Sequence, residues 1–551
     1  MAIGTEDSRW NAARFPAGAR AGNARPLLSG TALVLAVAVL LKLALHATGL
    51  SRYGYFRDEL YYLASTEHLA AGYVEHPPLS IWLLAGWKAL FGASLPAIRL
   101  FGILAGSGTV IATGLLARHM RGGLFAQGCA ALCIAVAPMM LGVEHFYSMN
   151  AFEHLFWALA GLLFLRALED GPAGAGSLAH AAGESRERGK ARPGRWLILG
   201  VVLGLGLLNK FSILWLILGF AVGLLATRHR RVLGRPWPWL AAATAALLFL
   251  PFVIWQVRSG LPVLEFMRNA AANKNVHDSI AGFLMNQAMA VNVLAVPVVL
   301  AGIASLGLAR TRPWSVVPIV FLTVALLLIA VPGSKPYYLA SAYPFVLAPG
   351  AVVIEHLLRG RWGAWLRAGY AVAVLAGGLA ALPLVVPVLP VDRFLRFSDR
   401  IGVSPSAGER HALGPLPQQF ADMHGWKELA ENVARVYASL PPEERAQCAI
   451  FAQNYGEAGA IDVLGRPLGL PAAICGHNSY WFWGPRGATG SVVIVIGGDA
   501  SEYALLFDTV ERVGESDHPL AMPYERHLPI HLCRGMRQPL GQLWPQVKSF
   551  G

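Results

Sequence analysis

Four groups of polar residues stand out in a chain that is otherwise poor in charge. The first is Arg57-Asp58-Glu59-Leu60-Tyr61-Tyr62, continued by Tyr73 and Glu75-His76-Pro77-Pro78-Leu79. The second is Glu144-His145 with Asn150 and Glu153, the third is Asn209-Lys210, and the fourth is Lys335 with Tyr337-Tyr338. Carboxylates can take a proton, and lysine, arginine and histidine can hold an anion. Gathered at one place, such residues make a base beside a cation cluster. Each group also has a plainer reading. Asp58 and Glu59 could cap a surface helix, His76-Pro77-Pro78 could be a rigid turn, Glu144 and His145 could be solvated loop residues, and Lys335 could anchor at a membrane interface.

What positions these groups follows from composition. Of 551 residues, 55% are hydrophobic and 14% charged, against about 25% charged in ordinary soluble domains. Such a chain is a polytopic α-helical membrane protein rather than one oversized core. The formal net charge of +13 does not indicate a nucleic-acid partner, because the basic residues sit in short clusters between apolar runs, as the positive-inside rule expects. Residues 1–26 read as a cytoplasmic tail, 27–392 as the membrane domain with a first outer loop over 51–95, and 393–551 as a small α/β domain outside the membrane. The N-terminal apolar run reads as a signal anchor.

The spacing predicts about 11–13 transmembrane helices. Basic turns at Arg118-His119 and Arg121, at Arg228 to Arg231, at Arg310 and Arg312, and at Arg359 and Arg361 mark the inner side. The run 196–227 has basic flanks at both ends, yet is too long for one span at about 1.5 Å per residue. It is predicted to be two short helices with a hairpin at Asn209-Lys210-Phe211-Ser212. A Gly/Ala-rich basic linker covers 168–195. The outer loop at 257–280 adds Arg268, Lys274 and Asn275. All four polar groups then fall on the outer face. In the C-terminal part, Ala449–Phe451 and Val492–Ile496 read as strands, and Trp426–Tyr437 and Tyr503–Val513 as helices. Cys448, Cys475 and Cys533 leave room for one disulfide in an oxidising space. Asn454 to Gly459 looks like a strand-to-helix turn whose amides could bind an anion. His477 to Trp483 is an aromatic stretch suited to carbohydrate, to the membrane interface or to core packing.

At Asp58-Glu59 and Glu75-His76-Pro77-Pro78-Leu79 the sequence resembles glycosyltransferase family 39, which includes protein O-mannosyltransferases and the aminoarabinose transferase of lipid A. The resemblance extends through Tyr147 to Glu153, Gly206 to Lys210, and Ser334 to Tyr338 with Tyr343-Pro344. It implies a GT-C fold, a polyprenyl-phosphate-linked sugar as donor, and inverting transfer to a protein, lipid or glycan acceptor outside the cytoplasmic membrane. On that pattern Asp58 matches the catalytic acidic position, with the role of general base, and Glu59 stands beside it. His76, Lys210, Lys335 and Arg268 are the candidate contacts to the donor phosphate. Glu75, Tyr62, Tyr73, Glu144, His145, Asn150, Glu153 and Tyr337 are the candidate contacts to sugar or acceptor. His76 stands where the lipid A enzyme has Lys, and Asn150 where relatives often carry Asp. No nucleotide-binding Gly loop is apparent, in keeping with a lipid donor. Asp58, Glu59 and Glu144 could hold a divalent cation, although no ligand spacing demands one. The rival class is a multi-span transporter or flippase of lipid-linked sugars, which would carry polar residues through the bilayer.

Overall fold

The computed structural model describes residues 25–169, 193–273, 279–331, 334–405 and 411–551. Nearly all of the 1–26 tail, linker residues 170–192, and Lys274 and Asn275 lie outside the described residues. In a bilayer every backbone N–H and C=O must be paired within the protein, so the apolar runs fold as helices. Among the described residues five are long and apolar enough to cross a membrane: α1 (Arg25–Ala47), α4 (Leu95–His119), α7 (Met149–Glu169), Pro236–Arg258 and Gly363–Val385. Among the described residues the number rises to nine if each sharply bent pair of helices is one span. Leu79–Phe91, Pro193–Asn209 and Val316–Ala330 are apolar but shorter.

The bends have local causes. The predicted span 123–142 is split into α5 (Leu124–Ala135) and α6 (Pro138–His145), 54° apart. Pro138 has no N–H to continue the ladder, and Ala137 before it is extended. The apolar run after Ser279 breaks by 93° beside Asn292, whose φ is +81°. Between Pro193–Asn209 and Ile213–Ala226 the chain turns at Lys210 to Ser212. Phe164 on α7 touches both Trp196, near the start of the first helix, and Phe220, well along the second. Two residues so far from the turn can share one neighbour only if the chain doubles back, so this segment is the predicted hairpin.

The loop after α1 contains α2 (Arg57–Ser65) and α3 (Leu79–Phe91). The C-terminal part builds a five-stranded sheet in the order β2-β1-β3-β5-β4. Its strands are β1 (Cys448–Ala452), β2 (Ile474–Cys475), β3 (Val492–Ile496), β4 (Phe507–Ser516) and β5 (Leu528–Met536). β1 runs parallel to β2 and β3, and β5 is antiparallel to both β3 and β4. The run Val492-Val493-Ile494-Val495-Ile496 is buried at every position, as a central strand requires. The predicted helix at Trp426 is present as Trp426–Ser439. The helix expected over Tyr503–Val513 is not: from Phe507 this stretch is β4, because pairing with β5 supplies its backbone partners and overrides local preference. All five cysteines are free and buried. Cys448 and Cys533 lie on strands kept apart by β3, pairing with Val492 and Val493 respectively, which corrects the disulfide expectation for this pair.

Candidate functional site

The opening acids are sorted by a helix start. Phe56 is the extended residue before α2, and Glu59, at the third helical position, turns back to accept from Phe56 N at 2.8 Å. Glu59 has no exposed surface. Its oxygens also accept from Arg99 Nε and Nη2, each at 3.2 Å, and from Tyr147 N at 2.9 Å. Arg99 comes from α4 and donates further to the carbonyls of Leu50, Arg52 and Gly54. Glu59 is thus the anchor that ties the loop to the bundle. This corrects its expected place at the reacting atoms, because every direction a substrate would use is already occupied. Asp58, one step around the helix, is 36% exposed. Its Oδ1 accepts from the Tyr455 hydroxyl at 2.9 Å and lies 3.9 Å from Arg57 Nε.

His76 is buried, and its Nδ1 donates to Pro77 O at 2.9 Å. Its ring stacks on Tyr62 and packs against Tyr73. Burial pushes its pKa down to about 4, so it is neutral at ordinary pH and does not supply the phosphate with a cation. Tyr62 and Tyr73 are themselves 4% and 1% exposed. They are walls behind the loop rather than open faces for stacking, a second correction. Glu75 Oε1 lies 3.9 Å from His76 Nε2 and keeps some exposure.

Three of the predicted groups do converge. Lys210, at the hairpin tip, donates to Asn150 Oδ1 at 2.7 Å and to Glu153 Oε2 at 2.6 Å on α7. The Ser212 hydroxyl closes on the other Glu153 oxygen. The rings of Tyr337 and Tyr338 lie 5.3 and 5.2 Å from the ammonium, within cation–π reach. Asn209 donates to Met149 O at 2.8 Å, and the backbone of Met149 also meets the Tyr62 hydroxyl. The chain of contacts therefore runs from α2, which carries Asp58, to the lysine cluster. Lys335 is half-buried at the start of the Pro336–Ala342 turn that carries Tyr337. Arg268 is exposed on the Pro262–Asn273 helix.

Glu144 and His145 do not reach this surface. Glu144 is fully buried, 2.5 Å from Lys42 Nζ of α1 and 2.8 Å from His154 Nδ1 of α7. Gly106 makes room for it, since a Cβ there would lie 2.2 Å from Glu144 Oε2. His145 Nδ1 sits 3.1 Å from His46 Nδ1, with the rings stacked. Both expected contacts to sugar or acceptor are corrected: these residues lock α1, α6 and α7 together. The signal for this was a lysine inside the first apolar run, which needs a partner wherever it is buried. With Glu59 held by Arg99 and Glu144 by Lys42, neither gathers with Asp58 around an ion. Among the described residues no three His, Cys, Asp or Glu could hold a metal.

The sheet domain docks on the loop that carries α2. After β1, the Asn454 side chain accepts from Gly456 N and Glu457 N, so it caps the Tyr455–Ala460 helix itself. Those amides are filled, which corrects the anion-site reading. Gly456 and Gly459 let this helix press on α2. A Cβ on Gly456 would meet Arg57 Cγ at 2.6 Å, and one on Gly459 would meet Leu60 at 3.0 Å. Arg57 also donates to the Tyr524 hydroxyl at 2.7 Å. The aromatic stretch binds the same loop: Ser479 Oγ accepts from Val74 N at 3.1 Å, and Trp483 stacks on His68 at 4.2 Å. Burial raises the Glu457 pKa to about 7 and lifts that of Glu525 well above the usual carboxylate range. The two are bridged by the Asn454 amide, 2.9 Å from each.

Comparison with known proteins agrees with this architecture. Residues 75–183 and 185–255 match the family model of dolichyl-phosphate-mannose-protein mannosyltransferase. An undecaprenyl phosphate-alpha-4-amino-4-deoxy-L-arabinose arabinosyl transferase of Pseudomonas aeruginosa is 27% identical over 193 residues, 34% of this chain and 32% of the relative. Lipid A galacturonosyltransferase RgtD of Rhizobium johnstonii is 25% identical over 205 residues, 37% of this chain and 39% of the relative. The matched segments thus span 32% and 39% of the length of these curated relatives. The crystal structure of ArnT from Cupriavidus metallidurans bound to undecaprenyl phosphate superposes with a TM-score of 0.59 at 15% identity, covering 92% of this chain and 98% of that one. The chain thus shares the fold of that protein over nearly its whole length, and its residues 75–255 resemble the mannosyltransferase family.

Proposed function

We propose that the protein is an inverting glycosyltransferase. It moves a sugar from a polyprenyl-phosphate donor to an acceptor at the outer face of the cytoplasmic membrane, with Asp58 as general base. The observation that carries the reading is a contrast among four acids. Glu59 is neutralised by Arg99, Glu144 by Lys42, and Glu153 by Lys210. Asp58 alone of these four keeps an exposed carboxylate, held by a neutral tyrosine hydroxyl. A general base must be both ionised and reachable. The basic turns at Arg118 to Arg121 and Arg228 to Arg231 support an inside position for the opposite ends of the helices.

In the proposed step the acceptor hydroxyl gives its proton to Asp58, and its oxygen forms a bond to the anomeric carbon. The bond from that carbon to the phosphate oxygen breaks, and polyprenyl phosphate leaves with the electron pair. Negative charge grows on the leaving phosphate and calls for fixed cations. Lys335 and Arg268 are candidates, as is Lys210, which lies beside Tyr337 and Tyr338 and shares its charge with Glu153, and Glu75 is a candidate for orienting the sugar. His76 drops out because it is neutral. The acceptor class extends to lipid A and to protein by likeness to the relatives. A transporter would need polar groups open along a path through the bilayer, whereas the buried charge of Glu144 is closed on Lys42 and His154.

The test is transfer in proteoliposomes supplied with undecaprenyl-phosphate-linked 4-amino-4-deoxyarabinose and lipid A, read by mass spectrometry of the lipids, and repeated with mannosyl donors and envelope protein. Asp58→Asn should lower the transfer rate about a thousandfold with the fold intact. Full activity in that variant would remove Asp58 as base.

A further inference from the structure

We infer that Tyr455 is a positioning residue for Asp58, so that the C-terminal sheet domain completes the reactive centre rather than merely sitting beside it. The inference rests on the reading of Asp58 as base. Its ground is one contact across 397 residues of sequence: the Tyr455 hydroxyl donates to Asp58 Oδ1 at 2.9 Å.

That contact is built rather than incidental. Tyr455 is the first residue of a helix capped by Asn454, whose amide is in turn fixed between Glu457 and Glu525. Its ring lies 4.8 Å from Tyr61 and 5.0 Å from His477, with the Arg57 guanidinium 5.2 Å from its centre. The ring is only 9% exposed, while the carboxylate it reaches is a third exposed. A side chain clamped on these sides has little freedom left, and its hydroxyl fixes one oxygen of Asp58 while leaving the carboxylate reachable.

The charged and titratable groups around Asp58 set what that hydroxyl does. From α2 these are Arg57, 3.9 Å away, and the Tyr62 phenol. From the sheet domain Tyr455 is the contact. Arg57 itself faces Asp422, Tyr524 and Glu525 across the same junction, so its charge is shared with that domain. The donor restrains the rotamer, so that the other oxygen presents to the acceptor. Removing the hydroxyl should therefore leave Asp58 free to swing towards Arg57.

The test uses the full-length protein in detergent or proteoliposomes, comparing Tyr455→Phe with Tyr503→Phe as a control elsewhere in the same domain. The first readout needs no substrate. A water-soluble carbodiimide with glycine ethyl ester modifies reachable carboxyl groups, and peptide mass spectrometry follows the rate of Asp58 labelling at one fixed pH. Tyr455→Phe should raise that rate about threefold as the carboxyl group is released, and Tyr503→Phe should leave it in place. The second readout is transfer, where Tyr455→Phe should lower kcat about tenfold with the donor KM retained. An unchanged labelling rate, or an equal change in the control, overturns the inference. Undiminished transfer in Asp58→Asn would instead overturn the base assignment, while the labelling would still report on the contact.

Discussion

The assignment of Glu59 as an anchor makes a demand that separates it from Asp58. Glu59→Gln keeps the shape but removes the charge facing Arg99. The amide can offer one acceptor oxygen where the carboxylate served Arg99 Nε, Arg99 Nη2, Phe56 N and Tyr147 N. Its NH2 group would point at a donor. Arg99 would keep the carbonyls of Leu50, Arg52 and Gly54, but as a fully buried cation without its counter-charge. Breaking a buried pair from one side costs about 3–5 kcal/mol. The retained carbonyl bonds argue for the lower end, so we expect about 3 kcal/mol. Asp58→Asn, at a position one-third exposed and carrying one short hydrogen bond, should cost under about 1 kcal/mol. The assay is thermal inactivation of purified protein in one detergent, compared at one scan rate because unfolding of such proteins is often irreversible. Transfer is measured on the fraction still folded. Glu59→Gln should melt clearly below wild type and retain most of its rate per folded molecule. Asp58→Asn should melt like wild type and be inactive. A Glu59→Gln protein with wild-type melting and no transfer would refute the anchor reasoning and return Glu59 to the chemistry.

Two further outcomes follow from the geometry. Lys210→Met removes the cation that faces Asn150, Glu153 and the two tyrosine rings, and leaves Glu153 buried with the Ser212 hydroxyl. Transfer should fall about a hundredfold, measured as initial rate at saturating donor, and retention of the full rate would take Lys210 out of the site. In the sheet domain, Glu457 has its folded pKa raised by burial to about 7 from a reference of 4.5. Between these values the folded form holds a proton that the unfolded form has lost, and Glu525, raised as well, holds a second, so stability falls as pH rises from about 4.5 through about 7. Thermal melting of the full-length protein across this range should show that slope, and Glu457→Gln should reduce it.

The polar groups were legible because hydropathy decides which turns face which side. That is enough to predict that Lys210, Asn150, Glu153 and Tyr337 meet, and the hairpin at Lys210 followed from length and flanking charge alone. The α/β character of the C-terminal part was also readable, since Val492–Ile496 has the composition of a buried central strand. Which acid is available for chemistry was not. Asp58 and Glu59 are neighbours of like charge, and one is withdrawn because a capping turn points it at Arg99, 40 residues away. Glu144 looked like a loop acid until α1 brought Lys42 against it. His76 lost its charge to burial under three tyrosines. Tyr455 gave no sign in the sequence of reaching Asp58.

Local composition is enough to specify a membrane protein with a carboxylate and a lysine cluster on one face, because bilayer crossing and side-of-membrane charge depend on neighbouring residues. That Asp58 is left open while Glu59, Glu144 and Glu153 are neutralised, and that the sheet domain reaches Asp58, came from long-range packing. An acid's availability depends on which distant cation or donor packs against it, and that is set by the assembly of helices, not by the residues beside it in the chain.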